Sequence, residues 1–185
     1  MKYLTLIALL VGCKDPYADD SSDDSNVTTD DSTADDSATD DSATDDTGQT
    51  EDQDIVGSWI SEGSNISPLF QSAFFGYVSI VADFSSDLKY SVVATDGEGA
   101  DTTFEGSYVV DITGSIPSIV LTQTAPSAAT AEGIWQLQGE ELHYEVVQTN
   151  PNPYNFVAPT PETGFGSSSG PGLQPGDNVQ IYVKN

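Results

Sequence analysis

Hydrophobic and polar residues follow three different patterns along this chain. Residues 3–11 are almost entirely apolar, residues from 14 to 54 are almost entirely polar, and from residue 55 onward short apolar segments alternate with turn residues. In this last part the apolar segments are rich in β-branched and aromatic residues, and glycine, asparagine, aspartate or serine separates them. Such a pattern is typical of an all-β sandwich or barrel.

Eight β-strands are predicted in the third part of the chain. The alternation is clearest late in the sequence, where Leu142, Tyr144 and Val146 share one face of a predicted strand. His143 and Glu145 then belong to the opposite face of that strand. We predict strands at about 56–62, 76–84, 88–95, 103–112, 116–123, 132–138, 141–149 and 178–184.

Short turns connect the predicted strands. Ser85–Asp87 and Gln138–Glu140 have the composition of hairpin turns, and Asp96–Asp101 is a longer loop between two strands. Consecutive hairpins give an antiparallel meander, and a meander of about eight strands removes its exposed edges by closing on itself. The predicted fold is therefore an antiparallel meander closed into a β-barrel, with a β-sandwich as the alternative.

Two segments of this region depart from the strand pattern. Ser67 can cap a helix and Pro68 suits a first helical position, so the apolar residues up to 75 predict one or two helical turns. These turns either cover one end of the barrel or form an exposed apolar loop. Residues 150–177 are rich in proline and glycine but contain three aromatic residues. A loop of this length is usually functional or mobile, and we expect part of it to pack.

The beginning of the chain has the pattern of a secretory signal peptide. A positive charge at Lys2 precedes the apolar run, which is much shorter than the roughly 20 residues of a membrane-spanning helix. Leu10–Cys13 resembles the lipobox of bacterial lipoproteins. In that family the peptide is cleaved before the cysteine, which then carries a diacylglycerol thioether and usually an N-acyl chain such as palmitate.

The lipobox resemblance implies where the protein is attached. Residues 1–12 are the expected signal peptide, and Cys13, the only cysteine of the chain, is the expected lipidation site that anchors the protein in a membrane. In lipoproteins that are sorted by the residue after the cysteine, aspartate there retains the protein in the inner membrane. Lys14 stands at this position, which favours the outer membrane, on its periplasmic or cell-surface face.

The expected tether, residues 13–54, is strongly acidic. It holds 16 of the 30 acidic residues, largely in a five-residue repeat of two aspartates followed by serine, threonine or alanine. Such a segment buries too little apolar surface to fold, so we predict a disordered spacer that its own charge extends. A specific calcium site and a glycosylated stalk are the alternatives. Calcium needs a cage of several oxygen ligands, which paired aspartates on a flexible chain do not form.

Several short motifs of the third part resemble one family. Gly57–Trp59 matches the Gly-x-Trp signature at the first strand of lipocalins and lipocalin-like bacterial lipoprotein domains. Asp83–Tyr90 resembles their second hairpin, Gly106–Tyr108 the strand after it, and Gly133–Leu142 a later hairpin. The resemblance covers about residues 55–149. It implies a lipocalin-like barrel.

The predicted barrel domain comprises residues 55–185, and it departs from the lipocalin pattern in one respect. In lipocalins an arginine near the last strand stacks on the motif tryptophan. This chain has no arginine, and Lys184 is the candidate for that place.

The available side chains exclude several classes of function. The net charge of −26 and the lack of arginine argue against a nucleic-acid partner. The single histidine, His143, is expected to face solvent, no Gly-x-Ser-x-Gly motif is present, and a zinc site needs more histidine, cysteine or carboxylate ligands than one histidine provides. We therefore predict a non-enzymatic protein without metal or cofactor.

Two classes of function remain. In the first, the barrel binds a small apolar ligand on an aromatic lining. In the second, the protein is a structural or protein-interaction module displayed on the cell envelope. Its loops, around 69–75 or 150–176, would then contact the partner. An eight-stranded barrel can either be filled by side chains or hold one ligand. The ligand-binding residues predicted for the first class are Trp59, Phe74, Phe75, Tyr90, Trp135 and Tyr144.

Overall fold

The computed structural model describes residues 54–185, and this part of the chain forms a closed all-β barrel. Each strand pairs antiparallel with the next, and the last strand pairs with the first. The predicted meander is therefore confirmed, and the sandwich alternative is wrong. The strands are β1 (Gly57–Glu62), β2 (Tyr77–Phe84), β3 (Lys89–Asp96), β4 (Asp101–Asp111), β5 (Ser118–Ala125), β6 (Ala129–Gln138), β7 (Glu141–Asn150) and β8 (Gln180–Lys184).

Strand β8 closes the barrel by pairing on both sides. Trp59 of β1 lies opposite Lys184, and Tyr144 of β7 lies opposite Gln180. Every predicted strand exists, and the differences lie at the ends. Strand β6 begins at Ala129, before the predicted start at 132, because its first residues still pair with β5 and β7.

The two ends of the barrel carry different connections. At one end, which we call the closed end, the turns between β2 and β3, β4 and β5, and β6 and β7 are found together with residues 54–56. At the other, which we call the open end, lie the segment between β1 and β2 and the long loop 151–179 between β7 and β8. Because the strands alternate in direction, these two longest connections are placed at the same end.

The segment between β1 and β2 forms a short lid at the open end. It contains a 3₁₀ turn at Gly63–Asn65 and one turn of helix, α1 (Pro68–Gln71). As predicted, Ser67 caps this turn, since its hydroxyl accepts a hydrogen bond of 3.4 Å from the Phe70 N–H. The ring of Phe70 then packs edge-on against Phe75, with 5.4 Å between centroids. Within residues 54–185, no helix is long and apolar enough to cross a membrane.

The two largest fully buried side chains lie toward the closed end. Both tryptophans are buried there, at 1% and 0% exposure. Phe84 packs against Tyr108 with ring centroids 5.2 Å apart. The buried side chains of this layer are Trp59, Phe84, Tyr108, Ile119, Trp135 and Leu142. The predicted signal peptide 1–12, the lipidation site Cys13 and the tether up to residue 53 lie outside the described residues.

Candidate ligand-binding site

The barrel interior contains a cavity of about 270 Å³ toward the open end. This volume is near the lower limit of small-molecule sites, about 300 Å³. Its lining in the described part of the chain includes no aspartate, glutamate, lysine, arginine or histidine. Strands, lid and long loop together supply nine aromatic rings: Phe70, Phe75, Tyr77, Tyr90, Phe104, Tyr144, Tyr154, Phe156 and Tyr182.

The structure divides the six aromatic residues predicted to bind a ligand into two groups. Phe75, Tyr90 and Tyr144 line the cavity. Trp59 and Trp135 are buried but belong to the packed layer below it, and Phe74 is 52% exposed on the outside of the lid. Of the predicted set, three residues are thus in a position to contact a molecule in the cavity, and contact with a ligand stays a prediction for all of them.

Sequence reasoning missed Tyr182, because the apolar alternation of β8 does not reveal which face is inward. Val179, Ile181 and Val183 form the more hydrophobic set, yet the side chains buried inside the barrel are Gln180 and Tyr182. Pairing with β1 and β7 determines this orientation. Phe104, the pair Tyr154 and Phe156 of the loop, and the lid residue Phe70 were also not predicted, since nothing local distinguishes them from core residues.

Three buried tyrosines of the barrel strands contribute polar groups to the cavity wall. Burial raises the pKa of Tyr90 to about 12, and burial also raises the pKa of Tyr182. The pKa of Tyr144 is raised well above its ordinary value, chiefly by burial and further by the neighbouring Tyr182 and Tyr90. The rings of Tyr144 and Tyr182 meet edge-on at 6.1 Å. At neutral pH these three groups are therefore uncharged phenols that lie close together.

Buried amides fix the lid to the barrel. The Gln180 side-chain amide donates to the Ser61 hydroxyl at 2.5 Å, and its carbonyl oxygen accepts from the Ser67 N–H at 2.8 Å. Ser61 and Ser67 are almost fully buried, so water does not reach them. The two bonds to Gln180 therefore pair a hydroxyl and an N–H group that would otherwise have no partner. The inward glutamine thus connects β8, β1 and the cap of α1, which places Phe70 over the cavity.

The long loop is held against the outside of the barrel by a buried carboxylate. Glu145 points outward from β7, yet it is 0% exposed. Its carboxylate accepts hydrogen bonds from the N–H groups of Gly166, at 2.6 Å, and Ser168, at 3.0 Å. Val157 and Ser169 pair with each other across this part of the loop. The loop therefore covers the outer face of β7 and also supplies part of the cavity wall.

The same loop changes the surroundings of the single histidine. His143 was expected to face solvent, but its side chain is only 20% exposed. Its ring packs edge-on against Phe165, with 6.0 Å between centroids, and lies 3.4 Å from the Glu141 carboxylate. The expectation failed because a strand pattern does not show which loop packs on its outer face. Among residues 54–185, no group of three or more His, Cys, Asp or Glu side chains is arranged to hold a metal ion.

At the closed end, a lysine lies over the tryptophan of the Gly-x-Trp motif. The Lys184 ammonium is 3.9 Å from the ring centroid of Trp59, whose indole N–H donates to the Ile55 carbonyl at 2.8 Å. Gly57 has a φ of 143°, and a Cβ atom there would lie 2.6 Å from the ammonium nitrogen. The glycine of the motif is thus needed for its backbone conformation, and a side chain there would also displace the Lys184 ammonium.

Comparison of the chain with protein-family models, with curated proteins and with solved structures finds no match. The function is therefore argued from the chemistry of the cavity and from the sequence.

Proposed function

We propose that this protein is a lipid-anchored envelope lipoprotein whose lipocalin-like barrel binds a small, mainly apolar molecule in the cavity at the open end. The observation that carries the proposal is the combination of volume and chemistry in that cavity. About 270 Å³ of space is surrounded by aromatic and aliphatic side chains, without a charged group from the described part of the chain. A ligand that leaves water for this space gains free energy from burying its apolar surface.

The packing of the two ends supports this use of the cavity. Protein interiors are normally close-packed, and an empty apolar cavity lowers stability in proportion to its volume. The closed end follows the rule, since its two tryptophans are almost fully buried. The space toward the open end lies under a lid that Gln180 holds in place, which fits a site that an apolar molecule fills.

The proposed attachment rests on the sequence. Lipidation of Cys13 would anchor the chain through its acyl groups, and Lys14 favours the outer membrane. The acidic segment 13–54 would then act as an extended spacer between membrane and barrel. In this arrangement the cavity can take up apolar molecules close to a lipid surface.

The test is to identify what the purified full chain carries. It is extracted with organic solvent, and non-covalently bound compounds are measured by mass spectrometry for the wild type, Ala131→Phe and Val109→Phe. Ala131 lines the cavity, whereas Val109 is 64% exposed on the outer face of β4. We expect about one apolar molecule per chain from the wild type and Val109→Phe, and far less from Ala131→Phe, because the added ring occupies the cavity.

A wild type without bound compound, even after incubation with envelope lipids, would contradict ligand binding. The protein-interaction module would then be the better interpretation, and the loops at the open end would be the surface to examine for partners.

A further inference from the structure

Three tyrosine hydroxyls of the cavity wall have no hydrogen-bond partner among residues 54–185. In the part of the chain that the structure describes, Tyr90, Tyr144 and Tyr182 make no hydrogen bond through their hydroxyl groups. By contrast, the hydroxyl of Tyr108, which is not in the lining, donates to the Ser85 carbonyl at 2.9 Å. A hydroxyl that opens into a cavity without a protein partner can bond to water or to a bound molecule, so these three groups are available to a ligand.

The amide donors of the same wall are already engaged. Gln123 donates to the Ser127 carbonyl at 2.8 Å, and Gln148 to the Pro151 carbonyl at 2.6 Å. The Asn178 amide donates to the Val146 carbonyl at 2.7 Å. With Gln180 bonded to the lid, each side-chain amide of the lining has at least one N–H engaged. The hydroxyls of Tyr90, Tyr144 and Tyr182 differ from these amides in having no partner among the described residues.

The charge of the surroundings disfavours an anionic ligand. The lining contains no lysine, arginine or histidine among the described residues that could neutralise a carboxylate or phosphate. Burying an unpaired charge in an apolar cavity costs much more free energy than burying a neutral polar group. The chain also has a net charge of −26, which repels anions as they approach. A cation would likewise find no carboxylate in the cavity wall.

Building on the function proposed above, we propose that the ligand is a neutral molecule with an apolar body and a hydrogen-bond acceptor, such as an ester or ketone carbonyl, and that Tyr144 and Tyr182 donate to this acceptor. Tyr90 adds a third hydroxyl to the same lining. This arrangement selects against free fatty acids, which carry the same apolar chain but are ionised at neutral pH. The arrangement also gives a ligand with a carbonyl group a higher affinity than the corresponding alkane.

The selectivity is measured with four probes that share a chain length. Methyl decanoate, decanoate, decane and decyltrimethylammonium are titrated into the delipidated full chain by isothermal titration calorimetry at neutral pH. We expect methyl decanoate to bind most tightly and decanoate to bind at least about tenfold more weakly, since its charge is buried without a partner. Decane should bind about fivefold more weakly, because it leaves the hydroxyls unpaired.

Variants that remove single hydroxyl oxygens show whether the tyrosines cause this order. Tyr144→Phe and Tyr182→Phe should each weaken the binding of methyl decanoate about fivefold and leave the affinity for decane unchanged. Tyr108→Phe is the matched control, because its hydroxyl bonds to Ser85 outside the cavity, and it should leave both affinities unchanged. Circular dichroism of each variant verifies the fold.

The outcomes separate this inference from the proposed function. If no probe binds, ligand binding itself is contradicted. If decanoate or decyltrimethylammonium binds as tightly as the ester, the cavity is a ligand site but the neutral selectivity is wrong. If the ester binds most tightly and the tyrosine variants do not weaken it, the role given to Tyr144 and Tyr182 is wrong.

Discussion

The two ends of this barrel are built from the same eight strands, but their aromatic residues differ in packing and in hydrogen bonding. At the closed end, Trp59 is buried on one side by the core and covered on the other by Lys184, and its indole N–H has a partner. At the open end, Tyr144 and Tyr182 are also buried but border the cavity, and their hydroxyls have no partner among the described residues.

This difference shows how a single small domain can separate stability from binding. Close packing gives the closed end the larger share of the folding free energy, although the Trp135 indole N–H has no hydrogen-bond partner among the described residues. The open end has less complete packing and leaves tyrosine hydroxyls without a partner. The space and the hydroxyls are then available to a ligand. Changes at the closed end should therefore alter stability, and changes at the open end should alter binding.

The largest expected effect comes from removing the motif tryptophan. Trp59→Ala deletes a fully buried side chain together with its bond to Ile55 and its contact with Lys184. The free energy of unfolding, measured by urea denaturation, should fall by about 3–5 kcal/mol. Among molecules that remain folded, the affinity for methyl decanoate should not change, because Trp59 does not line the cavity.

A second aromatic residue provides the control for this comparison. Phe74 is 52% exposed on the lid, so Phe74→Ala removes a ring with little loss of buried area. We expect the free energy of unfolding to decrease by less than about 1 kcal/mol. Equal losses of stability in Phe74→Ala and Trp59→Ala would contradict the special role of the closed end.

The next largest effect is a decrease in the free energy of unfolding at alkaline pH, caused by the buried tyrosines of the open end. Burial raises the pKa of Tyr90 to about 12 from its ordinary value of 10.0, so the folded state holds a proton that the unfolded state releases. Stability from this group is complete below pH 10 and is lost as the pH rises toward about 12, by roughly 2–3 kcal/mol. The raised pKa values of Tyr144 and Tyr182 extend the loss to higher pH.

Urea denaturation between pH 10 and about 12 tests this expectation. The variant in which Tyr90, Tyr144 and Tyr182 are all phenylalanine should lose less stability over this interval than the wild type. An identical decrease in both proteins would show that other groups cause the alkaline unfolding.

The fold was largely predictable because strand signals are local. Alternating apolar residues and short turns marked all eight strands, and the number of hairpins indicated closure. Ser67 and Pro68 likewise marked the α-helical turn α1. These features depend on neighbouring residues, and therefore they can be read from a short segment of sequence.

The cavity was predictable only in part because it depends on distant residues. Phe75, Tyr90 and Tyr144 were recognised as aromatic residues of the barrel, but so were Trp59 and Trp135, which pack below the cavity. Whether an inward ring fills the core or borders a space depends on side chains from the other strands. The sequence pattern of one strand does not contain that information.

A more local effect is expected at the buried carboxylate that holds the long loop. In Glu145→Gln, one oxygen still accepts a hydrogen bond, but the new amide group faces the N–H of Gly166 or Ser168. We expect a decrease of about 1–3 kcal/mol in the free energy of unfolding and faster hydrogen exchange at these two amides. Glu132→Gln makes the same change at an exposed position on β6 and should affect neither. Because the loop also lines the cavity, Glu145→Gln should weaken methyl decanoate binding slightly, and unchanged exchange at Gly166 and Ser168 would contradict the clamp.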